Sequence, residues 1–263
     1  MTATTKPVAL VTGATGAIGQ AIARQLADKN YHVVLACRNE AKAQRTAATI
    51  TQATGNQDVR YVLVDVARKA SVEALAEQWS GRLDVLINNA AVTPRKREET
   101  PEGIELQFAA NVLGYFWMVE SFKPILAQSA PSRVVLVASY YAGDLDLDDP
   151  EFKRRRYSNN QAYRQSKQAN RMLAVAWADR LKPLGISLNS CHPGDVNSAL
   201  SNNLGFGGSQ SPDQGAATPV WLATDPVGQQ QTGKYFAHRQ EATCPFAANK
   251  AAIEQLYQIC SSY

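Results

Sequence analysis

The sequence predicts a doubly wound α/β domain, and three observations carry that prediction. Short apolar runs alternate with amphipathic segments of ten or more residues along the chain, the pattern of βαβ units around a parallel sheet. The first apolar run ends in a small-residue cluster, Thr12-Gly13-Ala14-Thr15-Gly16-Ala17-Ile18-Gly19, just before a helical segment begins. With 263 residues, 45% apolar and 19% charged, the chain has material for one large core and lacks the composition of a disordered protein.

The elements follow in order. Val8-Ala9-Leu10-Val11 reads as a strand buried on both faces, and Ile18 to Lys29 carries Ile18, Ile22 and Leu26 on one helical face. Val33-Val34-Leu35-Ala36 is a second strand, and Asn39 is placed to cap the Ala-rich helix after it. Val59 to Val64 and Val85-Leu86-Ile87 are the third and fourth strands, with a helix from Ser71 to Trp79 between them. Glu105 to Leu126 reads as one long helix, Arg133 to Ala138 as a fifth strand, Gln161 to Leu181 as another long helix and Ile186 to Cys191 as a sixth strand. A short helix from Gln214 to Leu222, a strand from Lys234 to Phe236 and a terminal helix from Ala248 to Cys260 complete the pattern. The expectation is one domain over residues 1–263, a mostly parallel seven-stranded sheet with helices on both faces. Two loops stand out: an inserted segment at about 144–160 and a Gly-rich segment at about 199–213.

Charge and cysteine usage narrow the class. A net charge of +4, from 27 basic and 23 acidic residues, does not point to nucleic acid. Cys37, Cys191, Cys244 and Cys260 lie far apart, and His192 and His238 are isolated, so no metal site is expected. No apolar run approaches the roughly 18 residues that cross a bilayer. The stretch Met1 to Lys6 lacks the apolar core of a signal peptide. These features predict a soluble cytoplasmic protein without a transmembrane segment.

The glycine turn and three later segments point to chemistry. Small residues between a first strand and first helix let a backbone approach a pyrophosphate, and the helix N-terminus offers it unpaired N–H groups. The spacing Gly-x-x-Gly-x-x-Gly differs from the usual dinucleotide fingerprint, so taken alone it also suits an ordinary strand-to-helix turn. The second strand ends in Ala36-Cys37-Arg38-Asn39, with no carboxylate for a ribose 2′-hydroxyl until Glu40. Arg38 can grip a 2′-phosphate through two N–H groups, which favours NADP, and NADPH over NADH. Asn88-Asn89-Ala90-Ala91 ends the fourth strand, and Ser139 follows the fifth. Tyr163 and Lys167 stand at i and i+4 on one helical face. In open α/β sheets the carboxyl ends of the strands form the ligand crevice. A hydroxyl, a phenol and an amine can converge there.

Taken in order, the glycine turn, Asp65, Asn88-Asn89-Ala90, Asn111, Ser139, Tyr163 with Lys167, and Pro193-Gly194 resemble the short-chain dehydrogenase/reductase family over roughly residues 6–240. The resemblance implies a Rossmann-type fold, Tyr163 as general acid/base and Ser139 as hydrogen-bond partner of a substrate carbonyl. It implies that Lys167 holds the nicotinamide ribose and, with the positive nicotinamide ring, lowers the Tyr163 pKa, and that Asn111 supports a water-linked proton relay. Cofactor contacts implied in the same way are Gly13, Thr15, Gly16, Ala17, Ile18 and Gly19 at the turn, Arg38 and Asn39 at the 2′-phosphate, and Asp65 and Val66 at adenine. Asn89, Ala90 and Ala91 would line the trough, and Pro193, Gly194, Val196 and Ser198 would meet the nicotinamide side. The chain departs from the common pattern at Gly16-Ala17, at Ala91, and in a separation of Ser139 from Tyr163 roughly twice the usual one.

That extra segment, with Tyr163-x-x-Ser166-Lys167-x-Ala169-Asn170 and His192-Pro193-Gly194, resembles the branch containing retinol-dehydrogenase-like and protochlorophyllide-reductase-like members. The branch implies NADPH-dependent reduction of a small lipophilic aldehyde or ketone, retinal included. Two alternatives stand beside it: a light-dependent tetrapyrrole reductase, and a non-catalytic NADP-binding sensor or scaffold. The second is disfavoured by the intact Ser139, Tyr163 and Lys167. Tyr140 and Phe206 are the leading substrate contacts, ahead of Tyr141, Trp221, His238 and Phe246. In the insertion, Asp144, Asp146, Asp148 and Asp149 precede Lys153-Arg154-Arg155-Arg156, and the acids and bases are expected to pair. Family members often pair through the two long helices, which leaves room for a homo-oligomer unless the insertion blocks that contact.

Overall fold

The computed structural model describes residues 6–263. The segment 1–5, read above for a leader, lies outside the described residues. β1 (Val8–Thr12), β2 (His32–Cys37) and β3 (Val59–Leu63) alternate with α1 (Ala17–Asp28), α2 (Glu40–Thr54) and α3 (Lys69–Glu77), and β4 (Val85–Asn88) follows. The sheet order is β3-β2-β1-β4 and onward to β5 (Ser132–Val137), β6 (Ile186–His192), β7 (Tyr235–Ala237) and β8 (Gln240–Glu241). β1 through β7 pair in parallel. The chain therefore winds outward from β1 to β3, then returns to lay β4 against the other side of β1. Their registers, Leu10 opposite Leu86 and Val11 opposite Ile87, leave a crevice beyond Thr12 and Asn88.

The sheet has eight strands where the sequence predicted seven. β8 turns back antiparallel on β7, joined by His238 and Arg239 at φ 51° and 60°. A two-residue hairpin needs positive φ at its central positions, and Asn or Gly usually signals it. His-Arg carries no such signal, so the hairpin was not legible.

Buried side chains form two layers. On one face α1, α2 and α8 (Pro212–Thr224) cover Ala9, Val11, Val33, Leu35 and Ile87. On the other face α3, α5 (Gly114–Gln128), α6 (Asn159–Leu181) and α10 (Lys250–Ser261) cover Leu10, Val34, Leu86, Val134 and Leu136. The predicted helix from Glu105 to Leu126 is not uniform. A single turn, α4 (Leu106–Phe108), passes through a π-helical turn at Ala109–Leu113 before α5. Extra residues of this kind inside a helix frequently mark a functional position, and Asn111 lies in the middle of this one.

The insertion is pinned rather than loose, and among the described residues the expected pairing holds only for Arg155; Lys153 pairs instead with Glu151 and Asp144 with Arg164 on α6. Asp149 accepts from the Lys153 and Arg154 N–H groups, and Arg155 lies 3.5 Å from Asp146 and 3.4 Å from Asp149. Arg164 on α6 pairs with Asp144 at 2.8 Å. Glu151 is buried, accepting from Glu105 N and from the hydroxyl of Tyr263 at the chain end. The insertion lies against α6, where Gln168 accepts Leu145 N and Gln165 donates to Pro150 O, and α10 also covers the two long helices. Tyr257 of α10 packs its ring 5.2 Å from Phe116 on α5 and 6.4 Å from Trp177 on α6, and its hydroxyl donates to Glu120. A 3-10 turn (Pro245–Ala247) leads into α10; α7 (Ala199–Asn203) and α9 (Pro226–Gln230) complete the helices.

Candidate active site

The crevice at the switch point is a cleft of about 390 Å³. It is lined by the glycine turn, the ends of β2 and β3, the segment after β4, and Tyr163, Lys167, Pro193 and Ser198. A separate groove of about 620 Å³ between α3, α5 and α10 holds none of the candidate site residues.

The glycine turn is built by close contact. A Cβ on Gly13, which has φ +65°, would meet Ala90 Cα at 2.7 Å; one on Gly19 would meet the Gly13 carbonyl oxygen at 2.3 Å. Thr12 Oγ1 accepts the backbone N–H groups of Asn89 at 2.9 Å and Ala90 at 3.1 Å, tying β4 to β1. Asn89 Nδ2 donates to the Thr12 carbonyl, so its amide holds the turn as well as lining the trough. Gly16 caps α1 without a side-chain acceptor. The first N–H groups of α1 are thus left for whatever enters the cleft.

At the end of β2, the side chain of Asn39 caps α2 by accepting Lys42 N at 2.9 Å. Arg38 and Lys42 both line the cleft and are exposed, and among the described residues neither cationic head has a hydrogen-bonding or ionic partner. The sequence reading missed Lys42, whose signal was its place in the first turn of α2, four residues after Arg38. It also missed Cys37, whose buried thiol accepts from the Ala14 and Thr15 N–H groups, and Ala199 and Leu200 at the start of α7. Asp65 and Val66 line the cleft where β3 ends, and Asp65 turns the chain by accepting Ala67 N.

The structure brings Ser139, Tyr163 and Lys167 together. Tyr163 is 8% exposed and Lys167 2%. Ser139 Oγ accepts Tyr141 N at 3.0 Å and lies close enough to the Tyr163 phenol to influence its ionisation. Burial pushes the Tyr163 phenol up to about 12, partly offset by the Ser139 hydroxyl. Lys167 Nζ donates to the Val137 carbonyl at 2.9 Å, and burial lowers it to about 7. Desolvation opposes charge on both groups. Asn111 is fully buried in the π turn, where Oδ1 accepts Val92 N at 2.8 Å and Nδ2 donates to Val92 O at 3.0 Å. It holds the segment after β4 from behind the cleft.

The substrate candidates rearrange. Tyr140, 61% exposed, turns its ring edge onto His192 at 4.6 Å. Tyr141 takes the inward place, near-parallel to Tyr163 at 6.5 Å and edge-on to Phe206 at 5.1 Å. Phe206 is 41% exposed on the Gly-rich loop. Trp221 packs on Phe236 in the core, and Phe246 lies under Arg171, both outside the cleft lining. His238 stands beside His192, 6.4 Å between ring centroids. Val196 and Gly194 lie behind the cleft, where Val196 bridges to Gln210, and Ser198 caps α7 through Ser201 N.

A crevice floored by an uncapped helix N-terminus suits a phosphate-bearing cofactor, and a buried phenol beside it suits proton transfer; together they define a dinucleotide-dependent oxidoreductase. The chain belongs to the short-chain dehydrogenase family, whose sequence model matches residues 7–206. It is 32% identical to retinol dehydrogenase 13 of Homo sapiens over 269 residues, covering 94% of this chain and 81% of that protein. It is 31% identical to retinol dehydrogenase 14 of Homo sapiens, covering 95% of this chain and 84% of that protein. Among solved structures, an uncharacterized protein from Mycobacterium paratuberculosis superposes with a TM-score of 0.82 at 26% identity, covering 97% and 93% of the two chains. The Pseudomonas aeruginosa RhlG/NADP active-site complex superposes with a TM-score of 0.71 at 25% identity, covering 88% and 94%. These relatives place the chain in the retinol-dehydrogenase-like branch of a family of oxidoreductases that bind a nicotinamide cofactor. No helix among the described residues is long and apolar enough to cross a membrane.

Proposed function

We propose that the protein is an NADPH-dependent reductase of a lipophilic aldehyde or ketone, a retinal-like carbonyl included, with Tyr163 as general acid. The observation that carries this reading is the buried, protonated Tyr163 between Ser139 and Lys167, facing an aromatic wall of Tyr141 and Phe206.

The residues present fit a nicotinamide dinucleotide. The first turn of α1 offers its N–H groups to a pyrophosphate. Gly13 and Gly19 leave no room for side chains in that turn. Arg38 and Lys42 offer two unpaired cations to a 2′-phosphate, which favours NADP over NAD. When bound, the reduced nicotinamide supplies a hydride to the substrate carbon. Tyr163 gives its Oη proton to the carbonyl oxygen, a transfer suited to a phenol that stays neutral at working pH. Ser139 Oγ steadies that oxygen by hydrogen bonding, and the Lys167 ammonium stabilises the phenolate left on Tyr163. Tyr141 and Phe206 exclude water from the apolar part of the substrate.

Dark NADPH oxidation, followed by absorbance against retinal and other apolar carbonyls, tests the reading. Tyr163→Phe should cut turnover by about a thousandfold, the scale of a lost general acid, while leaving NADPH affinity within about twofold. Undiminished turnover in that variant would overturn the assignment. Tight NADPH binding with no dark turnover would favour a light-requiring reaction or a sensor.

A further inference from the structure

Lys167 is a buried cation without a counter-ion. Its Nζ makes one hydrogen bond, to Val137 O, and among the described residues no carboxylate forms an ion pair with it. A buried ammonium with three donors and one acceptor carries a desolvation cost that something must offset. The groups that face it are Tyr163 from its own helix, Tyr115 from α5 and Cys191 from β6. Burial pushes the Tyr115 phenol and the Cys191 thiol well up, so both are neutral. The two phenol rings do face it, their centroids 5.3 Å (Tyr115) and 5.5 Å (Tyr163) from Nζ, within cation–π range.

The two rings differ in what the reaction does to them. Tyr163 loses its proton in the proposed reduction. Tyr115 is buried, and its hydroxyl donates at 3.2 Å to Val137 O, the carbonyl that also accepts Lys167. One carbonyl thus fixes both the ammonium and the ring beneath it. We propose that Tyr115 is a positioning residue, its ring face keeping the Lys167 ammonium charged and its hydroxyl tethering that ring to Val137 O. This rests on the reading above in which Lys167 acts as a cation beside Tyr163.

The test titrates Lys167 directly, by NMR of the full chain carrying 13C-labelled lysine, its signal assigned by loss in Lys167→Met. Tyr115→Phe keeps the ring and loses the tether. Tyr115→Leu loses both. Trifluorophenylalanine at position 115 keeps the shape and drains the ring face of negative charge. Lys167 should titrate about one pH unit lower with the leucine and fluorinated side chains than with phenylalanine, the scale of a desolvated cation–π contact. The alkaline limb of kcat/KM for NADPH-dependent reduction should move down by the same amount, with activity on the acid side unchanged within about twofold, since the ammonium there stays charged. Should the leucine variant fail to fold, the near-isosteric fluorinated one decides. Equal Lys167 titration in the phenylalanine and fluorinated proteins would overturn the proposal. If no protein, parent included, reduced a carbonyl, the function proposed above would fail while the titration still judged Tyr115.

Discussion

The two ends of the cleft are held by different kinds of contact. At the phosphate end, the turn from Gly13 to Gly19 is locked by backbone groups and short side chains: Thr12 Oγ1 takes two N–H groups, and Gly19 sits against the Gly13 carbonyl. At the Tyr163 end, Tyr141 and Phe206, outside the cleft lining itself, meet Tyr163 and each other through ring contacts, and Phe206 rides on a loop with Gly205, Gly207 and Gly208 beside it. The first end recognises a ligand group by geometry that backbone sterics dictate. The second adapts to apolar shape, and so admits variation in what it binds. A rigid end paired with an adaptable one suits an enzyme that keeps one cofactor and ranges over substrates.

That contrast can be broken at specific residues. Gly19→Ala should have the largest effect after Tyr163→Phe. Its methyl group has no space against Gly13 O and Asn89 Nδ2, so thermal or denaturant unfolding should show a loss of about 1–3 kcal/mol, the cost of overpacking. Calorimetric titration should show NADPH affinity falling with it; unchanged affinity would mean the phosphate end is not rigid. Arg38→Ala and Lys42→Ala should each weaken NADPH by about tenfold or more, the scale of a charged hydrogen bond, and leave NADH nearly untouched. Equal losses for both cofactors would remove the 2′-phosphate from the assignment. Phe206→Ala should be milder, raising KM for apolar carbonyls about three- to tenfold through the lost ring contact without altering NADPH affinity. A fall in kcat larger than the change in KM would show that the loop orders the reacting groups too.

The smallest effect concerns stability away from the cleft. Burial raises Glu105 to about 7, against two N–H bonds from Gln107 and Phe108, while the neighbouring Glu151 is held below its ordinary value by Lys153, Tyr263 and Glu105 N in spite of burial. A carboxyl raised on folding contributes stability that is full below its unfolded pKa and lost as pH rises through the folded one. Glu105 thus removes stability between about 4.5 and 7, and Glu105→Gln should flatten the melting temperature over that window. An unchanged slope there would assign the pH dependence to other groups.

Much of this was legible because it is local. The βαβ alternation, the glycine turn, Arg38 after β2 and the i, i+4 pair Tyr163–Lys167 each reside in one short segment, where period and spacing translate directly into geometry. What escaped depends on contacts between distant segments. The π turn around Asn111 follows an ordinary helical pattern in sequence, and within it Asn111 holds the distant Val92 backbone. The turn of Tyr140 onto His192, brought alongside by β6, is another such contact. Adjacent tyrosines after β5 offer the same side chain, and the local pattern does not say which one turns onto His192.

The chain by itself determined the doubly wound sheet, the site of the crevice and the residue types that meet there, because strand and helix periods and short turns are set by neighbouring residues. Only the tertiary structure decided that burial pushes the Tyr163 phenol up, that Lys167 lies between two rings without an ion-pair partner among the described residues, and that α10 lies on the two long helices. Those outcomes depend on burial, and burial is set by elements far apart in sequence closing on one another.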